Sequence, residues 1–164
     1  MHVVFEKFTH IKSRSSGRKR YDHKQQKKSI IACLARRLTA RKSESQNTLF
    51  LYDAFFTLAL PVGVSSRVTD IWRGYFAQKL VHLIGGRIGF YPVNAIQHRN
   101  SYSYLNDFKA ETALYHDADR LVEELHKWNC TEESSLKCTV ELSEQFLQNQ
   151  FWTADDQRLI EAWL

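Results

Sequence analysis

The sequence predicts an α/β domain tending to mostly α, preceded by a disordered basic arm. Three observations lead there. Charge divides sharply near residue 46, apolar residues recur at helical spacing over much of the remainder, and only short stretches look extended. The 164 residues carry a net charge of +5. Residues 1–46 hold 13 Lys and Arg against 3 Asp and Glu, whereas residues 47–164 hold 10 against 15. The basic character therefore belongs to the arm, and the domain is acidic. Such asymmetry marks an interaction tail or an extension foreign to the domain.

Within the arm, Lys12, Arg14, Arg18, Lys19, Arg20, Lys24, Lys27 and Lys28 are mixed with Ser, Gln and His. Apolar side chains there are too sparse to offset chain entropy, so disorder is expected. Residues 29–42 differ: Ile30, Ile31, Leu34 and Leu38 recur at helical spacing among Arg36, Arg37, Arg41 and Lys42. That pattern predicts a short basic amphipathic helix, able to meet a membrane surface, nucleic acid or its own domain.

The domain runs from 47 to 164. Residues 47–62 are dense in apolar and aromatic side chains, and periodicity does not separate a buried strand from a buried helix there. Pro61 and Gly63 end the stretch, and Ser65 and Ser66 open a helix. Its apolar face comprises Val68, Ile71, Trp72, Tyr75, Phe76 and Leu80, and Gly85-Gly86 is its stop. Gly89 to Val93 reads as an edge strand or extended loop, because Pro92 lacks a ladder donor. A single long helix is expected over 102–128, then a loop near 130–136. Helices near 141–149 and 155–164 complete the domain. Thr153 and Asp156 resemble a capping box. Ending on Trp163-Leu164, apolar and mid-helix, is the pattern expected of a truncated domain.

Several classes are excluded. The longest apolar run, Leu49 to Val62, contains Asp53 and falls short of the ~20 residues of a membrane span. No secretory leader pattern opens the chain. As written, a soluble intracellular protein is expected, an expectation that lapses if the chain is part of a longer one. Cys33, Cys130 and Cys138 form no C-x-x-C pair and lie apart from His, so zinc is not expected. That compartment favours free buried thiols over a Cys130–Cys138 disulfide. Asn129-Cys130-Thr131 is an N-glycosylation tripeptide with which a disulfide would compete. No G-x-S-x-G, phosphate-binding P-loop or G-x-G-x-x-G occurs.

The residues most able to carry chemistry cluster at 67–75. Asp70 lies at the start of its helix, where the helix dipole favours a carboxylate. Trp72, Arg73 and Tyr75 follow it. An aromatic wall, a fixed cation and a carboxylate suit a sugar or nucleotide ligand. Rings pack on sugar faces, Arg grips phosphate, and a carboxylate accepts a hydroxyl proton. The simpler alternative makes Trp72 and Tyr75 core and Asp70 an ordinary first-turn acid. Gln97-His98-Arg99-Asn100 is a second polar cluster, either a ligand loop or the lead-in to the next helix. Asp117-Ala118-Asp119 is not a metal clamp, because side chains at i and i+2 of a helix diverge by ~200°.

From Asn47 onward the chain resembles the STELLO-like probable glycosyltransferases. The residues carrying this are Asn47-Thr48-Leu49-Phe50, Tyr52-Asp53-Ala54-Phe55, Leu60-Pro61, Arg67 to Tyr75 with Gln78, Gln97 to Asn100, Phe151-Trp152 and Ala162-Trp163-Leu164. The resemblance covers about 118 residues and leaves out 1–46. It implies the C-terminal portion of a nucleotide-sugar-binding (GT-A-like) α/β domain associated with the Golgi membrane. It implies Asp70 as a candidate general base if the transfer inverts, with Arg73 and Arg99 facing a diphosphate. Trp72, Tyr75 and Asn100 complete the expected substrate-binding set, and the ligands would be a nucleotide sugar or glycan acceptor. A nucleotide sugar and a divalent metal would bind the preceding half of such a domain, so no cofactor is expected in this chain. A partial domain, inactive alone, is the expectation. The alternative is a nucleic-acid-binding or nuclear module working through residues 1–46, whose Lys and Arg would meet phosphates without sequence choice.

Overall fold

A computed structural model describes residues 2–6, 48–91 and 103–164. They are mostly helical: five α-helices, one 3-10 helix and a small sheet. The strands are β1 (His2–Glu6), β2 (Leu49–Phe50) and β3 (Arg87–Tyr91). The helices are α1 (Thr69–Leu83), α2 (Tyr104–Ala110), α3 (Thr112–Lys127), α4 (Ser135–Gln148) and α5 (Ala154–Trp163), with the 3-10 helix at Tyr52–Thr57. No helix among the described residues is long and apolar enough to cross a membrane.

The sheet order is β2-β1-β3. β1 runs parallel to β2, with Val4 opposite Leu49, and antiparallel to β3, with Val4 opposite Gly89. The arm thus begins with the central strand, where disorder is the expectation from its charge. The physical reason is local. Val3-Val4-Phe5 is a β-branched and aromatic run, a strand signal that the surrounding basic residues obscure. The helix expected at 29–42 lies outside the described residues, as does the rest of 7–47.

α1 is the centre of the fold. Ile71, Trp72, Tyr75, Phe76 and Leu80 pack with Leu121 and Leu125 of α3, Leu142 and Phe146 of α4, Phe151 and Trp152, and Ile160 of α5. Phe76, Phe146 and Trp152 form an aromatic trio with centroids 4.6–5.3 Å apart, the range in which tilted rings attract. The Trp72 and Trp152 indole N–H groups donate to the carbonyls of Phe151 and Ser143 at 3.0 and 2.9 Å. The opposite side of α1 is also covered. Ala77 and Val81 meet Ala54, Phe50 and Ile88. α1 is therefore buried almost all round, including Arg73 and Gln78. It ends at Gly85, whose φ of +76° is a left-handed stop suited to glycine.

Several elements depart from expectation. The 47–62 stretch is neither one strand nor one helix but β2 followed by the 3-10 helix, and Tyr52, Phe55, Leu60 and Val62 are exposed. The helix expected over 102–128 is two helices, α2 and α3, meeting at Glu111 with φ −96° and ψ 9°. No Gly or Pro marks that junction, so periodicity reads through it. α4 begins at Ser135, earlier than its apolar pattern suggests. Cys130 and Cys138 are joined by a disulfide with Cα atoms 5.5 Å apart, which corrects the reading of free thiols. That reading rested on an assumed compartment, whereas the α3–α4 turn brings the two residues within bridging distance.

The capping box at the head of α5 is present, and it does more than cap. Asp156 is fully buried and accepts four hydrogen bonds. Thr153 N and Oγ1 donate to Oδ2 at 2.8 and 3.0 Å, and Val62 N and Gly63 N donate to Oδ1 at 2.5 and 2.8 Å. One carboxylate thereby ties the loop leading to α1 onto the last helix. A Cβ at Gly63 would collide with the Thr153 side chain and the Asp156 carboxylate.

Candidate functional site

The Asp70–Tyr75 segment forms the first turns of α1, directly after the loop held by Asp156. Thr69 Oγ1 reaches back to the Pro61 carbonyl at 3.3 Å, and Arg67 pairs with Asp107 of α2 at 2.6 Å. These contacts set where the front of α1 points. Asp70 is half-buried in the first turn, and Arg73 follows one turn later on the same side.

Arg73 is the least ordinary of the predicted residues. Only 7% of it is exposed. Its guanidinium lies over the Phe50 ring, 5.1 Å from the centroid, a cation–π contact. Its Nε has no hydrogen-bond partner among the described residues. Burial lowers its pKa, and the Asp70 charge acts in the opposite sense. Asp70 and Arg73 are thus electrostatically coupled at the edge of the core. Sequence reading had allowed Arg73 to be a solvated cation; the sheet beside α1 is what buries it.

Trp72 and Tyr75 face inward. Trp72 is 1% exposed and its N–H is taken by Phe151. Tyr75 packs against it edge to face at 6.2 Å. The Tyr75 phenol has a raised pKa, first through burial and then through the negative charge of Asp119. Their rings hold the helix rather than line an open surface. Arg99 and Asn100, with Gln97 and His98, lie outside the described residues.

Among the described residues no group of three or more His, Cys, Asp or Glu is placed to hold a metal ion. Asp117 pairs with Arg120 at 3.0 Å, one turn along α3, and Asp119 is exposed.

Sequence reading missed other features. A cavity of about 230 Å³ opens between α3 and α4, lined by Glu124, Leu125, Trp128, Gln145, Phe146 and Phe151 among others. Lys79 of α1 sits 5.6 Å from the centroid of the Trp128 ring, and its pKa is lowered by burial. His82, at the end of α1, is held below the ordinary histidine value by burial and then by the charges of Arg87 and Lys79. Spacing along one helix carries no trace of these contacts, which join residues from different elements.

A family model described as STELLO glycosyltransferases matches residues 67–164, from Arg67 through α5. Two relatives from Arabidopsis thaliana, named probable glycosyltransferase STELLO1 and probable glycosyltransferase STELLO2, are 36% and 33% identical over 120 residues. The aligned stretch is 73% of this chain and 15% of each relative, so the chain spans a small part of their length. No solved structure matches it. The α1-centred helical domain thus falls within a family of glycosyltransferases. The chain belongs to the STELLO glycosyltransferase family.

Proposed function

We propose that residues 47–164 are the acceptor-side portion of a glycosyltransferase domain of the GT-A-like kind, behind a basic arm of residues 1–46. The observation that carries this reading is the position of the Asp70–Arg73 pair. It stands at the front of the region matched by the family, on a helix whose other sides are fixed in the core. A base and a cation held this firmly need little reorganisation when a substrate arrives.

In this reading Asp70 takes the proton from an acceptor hydroxyl as its oxygen bonds to the anomeric carbon of the donor sugar, as an inverting transfer requires. Arg73, together with Arg99, faces the diphosphate that leaves. Trp72 and Tyr75 act from the core side by fixing the helix, and Asn100 contributes to substrate binding. The half that binds nucleotide and metal belongs to the longer family protein, which would work at the Golgi membrane. This chain alone is then inactive.

Isothermal titration with uridine and guanosine diphosphate sugars plus manganese tests the reading on two proteins: this chain, and a version extended by its upstream genomic sequence. The extended protein is expected to bind one donor class, and this chain none. Failure of the extended protein with every donor would overturn the proposal.

A further inference from the structure

The loop between α3 and α4 contains Asn129-Cys130-Thr131, which combines a glycan-acceptor tripeptide with one half of the disulfide. Asn129 is exposed, and its carboxamide makes one long hydrogen bond, Nδ2 to the Lys127 carbonyl at 3.3 Å. The other members of the tripeptide are tied down. Cys130 is bonded to Cys138 on α4. Thr131 donates twice to Glu141 Oε2, through its amide and its hydroxyl, both at 3.1 Å. Glu132 N reaches the Cys130 sulfur at 3.3 Å. The acceptor nitrogen is open while the hydroxyl two residues on is occupied and the residue between is cross-linked.

We infer that Asn129 is an N-glycan acceptor that is usable only until the Cys130–Cys138 bridge closes. The acceptor pattern is read as a unit of Asn and hydroxyl, so a transferase needs both presented by one pliable segment. In the folded, bridged loop the Thr131 hydroxyl is committed to Glu141. Before the bridge forms, the segment lacks the covalent hold that keeps Thr131 beside Glu141. Both reactions belong to the same oxidising compartment, since a structural disulfide persists only there.

The two reactions have separate chemistry and a shared substrate. In the first, Asn129 Nδ2 bonds to the anomeric carbon of a polyprenyl-diphosphate-linked oligosaccharide. The bond from that carbon to the diphosphate breaks, the nitrogen loses one proton, and the lipid diphosphate leaves. In the second, the Cys130 and Cys138 thiols lose two protons and two electrons to the disulfide of a thiol oxidoreductase, which is reduced. Cys138 follows Asn129 by nine residues, about 0.5–2 s of synthesis at ordinary rates. Closing so short a loop is fast, and disulfide chemistry takes seconds or longer. The window for modification therefore opens as Asn129 is made and shuts when the bridge closes, and glycan occupancy records which reaction came first.

The full 164-residue chain can be directed into the secretory pathway of a eukaryotic cell, and the mass removed by peptide N-glycosidase quantified. The wild type is expected to be partly occupied. Cys138→Ser leaves the tripeptide intact and removes the competing bridge, so occupancy should rise. The rise is about twofold if the two rates are comparable. A reductant added during synthesis of the wild type should give the same rise, which covers a variant that fails to fold. Asn129→Gln should carry no glycan. Absence of glycan on Cys138→Ser, or equal occupancy with and without the bridge, would overturn the inference.

Discussion

Asp156→Ala should be the most damaging single change to a charged residue in this domain. The carboxylate is 1% exposed and receives Val62 N, Gly63 N, Thr153 N and Thr153 Oγ1. Hydrogen bonds to a charged group contribute about 1.5–3 kcal/mol each, and a buried donor left unpaired costs about 1–3 kcal/mol. The donors are only partly buried, so water would take over some of them. The expected loss is then about 3–5 kcal/mol, a large share of the ~5–15 kcal/mol that holds a domain together. With a urea slope of ~2 kcal/mol/M, the midpoint falls by about 1.5–2.5 M. Asp156→Asn should recover part of this, because one amide oxygen still accepts while its NH₂ opposes a backbone donor. The control is one residue away. Asp155 is 67% exposed and pairs with Arg158 on the surface, so Asp155→Ala should cost no more than ~1 kcal/mol. Urea unfolding followed by tryptophan emission measures all three. Equal midpoints for Asp156→Ala and Asp155→Ala would refute the reasoning.

Reducing the Cys130–Cys138 bridge, which spans a sequence separation of 8, should lower stability by about 2–3 kcal/mol on the loop-entropy estimate; an unchanged urea midpoint in dithiothreitol would contradict it. His82 titrates below its ordinary value of 6.5 when folded, chiefly through burial, so the unfolded chain takes up the proton first as the pH falls. Stability from this group is complete above about pH 6.5 and declines below it, and the midpoint difference between wild type and His82→Gln should therefore change sign or shrink between pH 7.5 and 5.5. In the longer family protein, Asp70→Asn should lower sugar transfer about 10²–10⁴-fold while far-ultraviolet circular dichroism stays native; full activity would remove Asp70 from the chemistry.

What the sequence displays and what it conceals follow a physical line. α1 was legible because its apolar residues repeat at helical spacing and Gly85 stops it. The α5 capping box was legible because it is local, with Thr153 and Asp156 three residues apart. The second duty of Asp156 was not, since its other partners lie 93 and 94 residues away. The same holds for β1, whose strand identity depends on pairing with segments more than forty and eighty residues further on. Arg73 illustrates the limit within the candidate site. Its place beside Asp70 follows from helical spacing, but its burial depends on Phe50 and the sheet. The choice between ligand wall and core for Trp72 and Tyr75 stayed open in the sequence for a related reason: an aromatic residue near a polar motif looks alike whether it faces a ligand or Phe151.

Loop amides usually exchange with solvent early, because their hydrogen bonds open without disturbing anything else. Val62 and Gly63 should not behave that way. Their N–H groups end on a carboxylate anchored at the head of α5, so hydrogen exchange at either site requires α5 to lift. The loop before α1 and the helix that follows Thr153 are then one opening unit, and their amides should show matched protection despite the length of chain between them.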